Sequence, residues 1–262
     1  MEIEKNLPIG FMDSGLGGLS VLKEALRVMP YEDFIYYGDS AHAPYGTKEP
    51  EQIRELTFHV VEHLLDRGIK GLAIACNTAT SASVRYLRQM YPDLPLVGIE
   101  PAIKPAVESS HGGTILVMAT PMTIQQEKFQ KLLAIYRQDS KIVPVPCKGL
   151  MEFVEKGDLD GKFLDEYFTE HLLPYLTEDT ETIVLGCTHY PFLRPHLREF
   201  LGNENISLID GSLGTARELK RRIREKGLLQ EEERERSVVI ENSLQDDQMI
   251  ERSYRLLQAP IN

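Results

Sequence analysis

Short apolar runs alternate with amphipathic stretches along most of the chain. This alternation is typical of βα units built around a mostly parallel sheet. The apolar runs predict strands at Pro8–Met12, Asp33–Tyr37, Gly71–Ala75, Leu96–Ile99, Thr114–Met118, Lys141–Val145, Thr182–Leu185 and Ile206–Ile209. Open parallel sheets bind ligands at the carboxyl edge, so we expect functional side chains directly after these strands.

The strands indicate a weak internal duplication. The strand ending at Asp13 has a counterpart ending at Thr120, 107 residues later, and Cys76 has a counterpart in Cys187, 111 residues later. Two similar halves predict an α/β fold with two pseudo-symmetric lobes, each a mostly parallel sheet flanked by helices. The active site would then lie in the cleft between the lobes.

The pattern after the last of these strands predicts a return of the chain to the first lobe. It indicates a helix at Ser212–Lys226, a strand at Val238–Glu241 and a final helix ending at Gln258. We therefore expect residues 1–98 and 208–262 to form the first lobe and residues 99–207 to form the second.

Composition excludes several classes of protein. The 262 residues carry a net charge of −11 at pH 7, which argues against a general nucleic-acid surface. No apolar stretch approaches the roughly 20 residues that a membrane helix needs. Residues 1–8 resemble neither a signal nor a transit peptide, so we expect a cytoplasmic protein. The three cysteines form no Cys-x-x-Cys pair, which disfavours both disulfides and structural zinc.

A glycine-rich segment, Asp13-Ser-Gly-Leu-Gly-Gly18, follows the first strand and precedes a predicted helix at Leu19–Met29. Glycines there allow a tight turn that points backbone amides at an anion, and Asp13 could cap the helix. The alternative is a dinucleotide site, which the position of Asp39 after the second strand favours. Against it, Ser20 stands where the dinucleotide fingerprint requires glycine.

Cys76 and Cys187 each lie between an apolar strand and a predicted helix. The positive end of a helix dipole lowers the pKa of a thiol, which favours the reactive thiolate. Two cysteines in equivalent places predict a pair of proton-transferring thiols, whereas Cys147 is interpreted as a small core residue. His189 could tune or accept the proton of Cys187, and Asp13 could assist Cys76 in the same way.

Several ordered motifs together resemble a known family. They are Ile9-Gly-Phe-Met-Asp-Ser-Gly-Leu-Gly-Gly, Tyr37-Gly-Asp-Ser-Ala-His-Ala-Pro-Tyr-Gly, Ala75-Cys-Asn-Thr-Ala-Thr, Gly98-Ile-Glu-Pro-Ala-Ile, Ala119-Thr-Pro-Met-Thr, Gly186-Cys-Thr-His-Tyr-Pro and Ile209-Asp-Gly-Ser. The chain thereby resembles the bacterial glutamate racemases of the aspartate/glutamate racemase family over nearly its whole length.

The resemblance implies interconversion of L- and D-glutamate by a homodimer that needs neither cofactor nor metal. Cys76 would take the α-proton of D-glutamate and Cys187 that of L-glutamate, assisted by Asp13 and His189. The residues implied to bind substrate are Asp13, Ser14, Tyr45, Gly46, Asn77, Thr78, Thr120, Thr188 and His189. The product implies a role in peptidoglycan synthesis. The segment from Pro146 departs from the family's Pro-rich form, so the resemblance gives Glu155 no firm role.

Two other functions stay open at the level of sequence. A racemase for aspartate or another amino acid would share the paired cysteines, although the Asp13 motif and the Tyr45-Gly46 pair favour glutamate. A non-catalytic nucleotide-binding or regulatory protein would bind nucleotide and would be indifferent to Cys76→Ser.

Overall fold

The computed structural model describes residues 2–136 and 140–261. The strands are β1 Ile9–Asp13, β2 Phe34–Gly38, β3 Gly71–Ile74, β4 Leu96–Gly98, β5 Thr114–Ala119, β6 Lys141–Pro146, β7 Thr180–Leu185, β8 Ser207–Asp210 and β9 Val238–Asn242. The helices are α1 Glu2–Lys5, α2 Leu19–Val28, α3 Pro50–Asp66, α4 Asn77–Met90, α5 Ile103–Glu108, α6 Pro121–Gln125, α7 Glu127–Tyr136, α8 Leu150–Lys156, α9 Lys162–His171, α10 Arg194–Leu201, α11 Ser212–Glu225 and α12 Asp247–Gln258. Each strand predicted above is present, and its ends agree with the prediction to within two residues.

The chain divides into two compact units. The first comprises Met1–Ile99 and Ser212–Gln258, and the second comprises Glu100–Gly211 and Ala259–Asn262. We expected the second lobe to end at residue 207. Because β8 pairs with β7 from Thr182↔Ser207 to Leu185↔Asp210, that unit instead extends to Gly211.

The first unit contains a sheet with the strand order β4-β3-β1-β2-β9. Every strand pairing in it is parallel. β1 lies at the centre and all five of its residues are buried, as its uninterrupted apolar pattern requires. The strand near the end of the chain, β9, pairs with β2 at the edge, beginning with Phe34↔Val238.

The second unit contains a sheet with the strand order β6-β5-β7-β8, and its pairings are also parallel. All six residues of β5 are buried between its two neighbours. The predicted fold class, parallel sheets flanked by helices in two lobes, is confirmed.

Parallel strands bring the residues that follow them to one edge of each sheet. In the first unit Asp13 ends β1, and Cys76 follows β3 by two residues. In the second unit Thr120 follows β5, and Cys187 follows β7 by two residues. In the part of the chain that the structure describes, no helix is long and apolar enough to span a bilayer.

Candidate active site

The loop after β1 is folded around the carboxylate of Asp13. Asp13 is fully buried, and its Oδ2 accepts a hydrogen bond from the Gly15 amide at 3.0 Å. The Ser14 hydroxyl lies 3.4 Å from the Cys76 sulfur. Asp13 does not cap the following helix as predicted, because α2 begins later and has Gly18 at its cap without a side-chain hydrogen bond.

Cys76 lies at the N-terminus of α4, as predicted. Its backbone is extended, and its Sγ accepts a hydrogen bond from the Ala79 amide at 3.4 Å. Asn77 and Thr78 form the buried first turn of α4. The thiol therefore lies at the positive end of a 14-residue helix, where a negative charge on sulfur is stabilised.

Tyr45 and Gly46 belong to a short 3₁₀ turn, Tyr45–Thr47, in the same unit. The Tyr45 side chain packs in the same hydrophobic cluster as Cys76. Its hydroxyl donates a hydrogen bond to Asp39 Oδ2 at 2.7 Å, and His42 Nδ1 lies 2.8 Å from Asp39 Oδ1. Burial and this hydrogen bond raise the pKa of Tyr45, so the hydroxyl stays protonated.

Cys187 has different surroundings from those predicted. The chain after it forms a tight turn, with the Tyr190 amide bonded to the Cys187 carbonyl, and then a 3₁₀ turn at Tyr190–Leu193. The helix α10 begins only at Arg194. Pro191 and Pro195 cannot donate backbone hydrogen bonds, which favours this interrupted start. The prediction that Cys187 lies at a helix N-terminus is therefore wrong.

A histidine and a carboxylate stand beside Cys187 instead. His189 Nδ1 lies 3.6 Å from the Cys187 sulfur, and His189 Nε2 lies 2.6 Å from Glu155 Oε1 on α8. Burial opposes a charge on His189, but hydrogen bonds and charge interactions with Cys187 and Glu155 outweigh it. The pKa of His189 is raised well above its ordinary value. The ring lies between a sulfur and a carboxylate, and both favour its protonated form.

Two threonines of the predicted site lie at strand ends of the second unit. Thr120 caps α6, with its hydroxyl accepting from the Thr123 amide at 3.2 Å. Thr188 is buried directly after Cys187. Both positions are at the carboxyl edge of the second sheet, where the strand pattern predicts a ligand.

Cys147 is buried in the core, in agreement with its interpretation as a small core residue. Burial raises the pKa of its thiol to about 12, so it carries no thiolate near neutral pH. Its sulfur donates to the Val145 carbonyl at 3.4 Å, and its own carbonyl accepts a hydrogen bond from the Tyr190 hydroxyl.

Comparison with protein-family models identifies the group to which these motifs belong. The model described as Asp/Glu/Hydantoin racemase matches residues 9–219. This range includes both half-sites, which are the groups of residues around Cys76 and around Cys187. The chain belongs to this racemase family.

Individual racemases resemble the chain over nearly its full length. A glutamate racemase of Clostridium perfringens is 50% identical over 254 residues, with 97% of each chain covered. The crystal structure of the glutamate racemase isoform RacE1 of Bacillus anthracis has a TM-score of 0.86 and 32% identity, covering 98% of this chain and 96% of that one. The crystal structure of glutamate racemase from Francisella tularensis in complex with D-glutamate has a TM-score of 0.82 and 27% identity. The match covers 97% of this chain and 95% of that one.

Within this racemase fold, the predicted residues gather in two groups. The first unit brings together Asp13, Ser14, Tyr45, Gly46, Cys76, Asn77 and Thr78, and the second brings Cys187, Thr188 and His189 together at the end of β7. Thr120 lies at the end of the adjacent strand.

Sequence reasoning missed the contact between Glu155 and His189. The two residues are 34 positions apart and on different elements, so no local spacing connects them. The amphipathic pattern of α8, with Leu150 and Val154 buried, could place Glu155 next to the core but could not identify its partner. Among residues 2–136 and 140–261, no group of three or more His, Cys, Asp or Glu side chains is placed to hold a metal ion.

Proposed function

We propose that this protein is an isomerase that interconverts L- and D-glutamate without a cofactor, with Cys76 and Cys187 as its two bases. The observation that carries the proposal is that each unit has a cysteine two residues after an interior parallel strand, β3 or β7, beside polar groups of its own. Ser14 contacts Cys76, and His189 contacts Cys187. The 50% identity to a protein named glutamate racemase supports glutamate as substrate.

The reaction itself requires two bases. Removal of the α-proton leaves a planar carbanion, and inversion requires that a proton arrive from the face opposite to the one it left. With D-glutamate, the Cys76 thiolate takes the α-proton and becomes a thiol, while the Cys187 thiol gives its proton to the carbanion and becomes a thiolate. With L-glutamate the two roles exchange. Thiols suit both roles because their pKa values can be tuned to the working pH.

The groups proposed to stabilise a negative charge on sulfur differ between the two cysteines. At Cys76 we propose that the N-terminus of α4 and the Ser14 hydroxyl stabilise the sulfur charge, with Asp13 assisting the proton transfer. At Cys187 the protonated His189 would stabilise the charge, and Glu155 would keep His189 protonated. The raised pKa of His189 supports this assignment.

Binding of an acidic amino acid needs local donors, because a net charge of −11 repels anions at long range. We propose that hydroxyls and backbone amides at the strand ends supply these donors. The proposed substrate-binding residues are Asp13, Ser14, Tyr45, Gly46, Asn77, Thr78, Thr120, Thr188 and His189. The backbone amides of Asn77 and Thr78 at the start of α4 would favour a carboxylate group of the substrate.

The resemblance to bacterial glutamate racemases supports a cellular role as well. We propose that the protein works in the cytoplasm as a homodimer and supplies D-glutamate for peptidoglycan, and so serves cell-wall biogenesis and cell shape. Sedimentation of the purified protein would test the oligomeric state, with a single species of twice the chain mass as the expected result.

Circular dichroism tests the proposed reaction directly. Purified protein is given L-glutamate or D-glutamate with no cofactor, and the optical signal of each is expected to decay to zero. Cys76→Ser and Cys187→Ser should each abolish the decay, whereas Cys147→Ser, the matched control, should retain it. Constant signals from both enantiomers would contradict the proposal, and aspartate under the same conditions tests the choice of substrate.

A further inference from the structure

Tyr36 on β2 carries a buried hydroxyl that the proposed reaction does not yet use. The side chain is fully buried, and its hydroxyl lies 2.7 Å from the Gly15 carbonyl oxygen and 3.4 Å from Asp13 Oδ2. A phenol has one proton to donate, so the Gly15 carbonyl is its main acceptor and the Asp13 carboxylate the weaker one. Tyr36 thus reaches both ends of the three-residue loop that carries Ser14.

Gly15 is held through both of its backbone polar groups. Its carbonyl accepts from Tyr36, and its amide donates to Asp13 Oδ2 at 3.0 Å. The residue between them, Ser14, contacts the Cys76 sulfur. The conformation of this loop therefore decides where the Asp13 carboxylate and the Ser14 hydroxyl stand relative to Cys76.

A second feature of β2 concerns the same carbonyl. A Cβ atom at Gly38 would lie 2.5 Å from the Gly15 oxygen, so only glycine leaves room for that oxygen. Phenylalanine would keep an aromatic ring in this buried core, where Phe11 is the register partner of Tyr36 and packs against Phe34. A buried hydroxyl is unfavourable unless it is hydrogen-bonded, and here its bonds go to the loop beside Cys76.

We propose that Tyr36 is a positioning residue for proton transfer at Cys76, acting through the Asp13–Gly15 loop and not at Cys187. This inference rests on the proposed racemase function. It predicts that loss of the Tyr36 hydroxyl slows the step at one thiol only.

The equilibrium between the enantiomers determines which measurement can detect a slower step at one thiol. L- and D-glutamate have equal free energy, so kcat/KM must be the same in both directions for wild type and for every variant. A slower proton transfer at only one of the two thiols appears instead in the primary deuterium isotope effects. If the Cys76 step becomes slower, cleavage of the α-bond limits the reaction more strongly with D-glutamate. With L-glutamate that cleavage occurs at Cys187, before the slow step, and limits the reaction less.

The experiment compares wild type with Tyr36→Phe, using α-deuterated D- and L-glutamate and detection by circular dichroism. We expect a roughly tenfold fall in kcat/KM in both directions, the effect of losing one hydrogen bond to a charged network. The isotope effect should rise for D-glutamate and fall for L-glutamate. Tyr37→Phe, the neighbouring residue on β2, serves as the matched control and should leave the rate within twofold of wild type and both isotope effects unchanged.

Two outcomes would overturn the assignment of Tyr36. One is a Tyr36→Phe enzyme with wild-type rates, and the other is a slower enzyme whose two isotope effects keep their wild-type values. A wild-type protein that racemises neither enantiomer would overturn the proposed function and this inference together. Activity of the wild type therefore distinguishes failure of the one from failure of the other.

Discussion

The two half-sites surround the same chemical group with different electrostatics. Cys76 begins a long helix, accepts a backbone amide hydrogen bond from Ala79 and contacts a hydroxyl. Cys187 is followed by a tight turn and has the His189 ring beside it, and that ring also contacts the carboxylate of Glu155. The helix dipole and the amide donor at Cys76 are replaced by a histidine and a glutamate at Cys187. Equivalent strand ends thus surround a thiol with different local groups.

Removal of one thiol at a time is the strongest test of this comparison. Cys76→Ala and Cys187→Ala should each slow racemisation by at least about 1,000-fold, because one of the two proton transfers loses its acid–base group. In D₂O, Cys76→Ala should still exchange the α-proton of L-glutamate, and Cys187→Ala that of D-glutamate. Proton NMR of the α-position measures both. Exchange into the same enantiomer by both variants would contradict the assignment of one thiol to each.

Glu155→Gln tests the electrostatics of the second half-site. The variant removes one of the groups that raise the pKa of His189, so that pKa should fall, as NMR titration of the ring can measure. We expect kcat/KM to fall roughly 10- to 100-fold, as for the loss of a charged hydrogen bond. The deuterium isotope effects should change in the sense opposite to Tyr36→Phe, rising for L-glutamate and falling for D-glutamate. Glu152→Gln, an exposed residue of the same helix, is the matched control.

The same variant has a predicted pH dependence of stability. The pKa of His189 is raised in the folded protein, so its pairing stabilises the fold fully below the unfolded value of about 6.5 and less as pH rises through the folded value. Denaturant unfolding should therefore show the largest loss of stability for Glu155→Gln on the acidic side of neutrality. A loss that grows with rising pH would contradict this arrangement of charges.

Cys147→Ala should have the smallest effect. The thiol lies outside both proposed half-sites, and the backbone hydrogen bonds of residue 147 are kept in the variant. Racemisation should stay within twofold of wild type, and the free energy of unfolding should fall by about 1 kcal/mol, an ordinary value for a substitution. Racemisation rates measure the first of these effects, and thermal unfolding measures the second. A large loss of activity in a variant of unchanged stability would contradict the assignment of proton transfer to Cys76 and Cys187 alone.

The sequence by itself determined the strands and the side chains that follow them. Continuous apolar runs predict strands such as β1 and β5 because a strand covered on both faces has no polar positions. Parallel pairing then brings Asp13 and Cys76, or Thr120 and Cys187, to one edge of a sheet. These conclusions need only local patterns and one rule about where ligands bind.

Only the tertiary structure decided the surroundings of each thiol. The turn after Cys187 replaces the predicted helix start, and Glu155 reaches His189 from another element. Tyr36 reaches the Gly15 carbonyl from a neighbouring strand. The physical reason is the same in each case. A hydrogen bond between distant residues depends on side-chain directions in the folded chain, and those directions leave no periodic signal in the sequence.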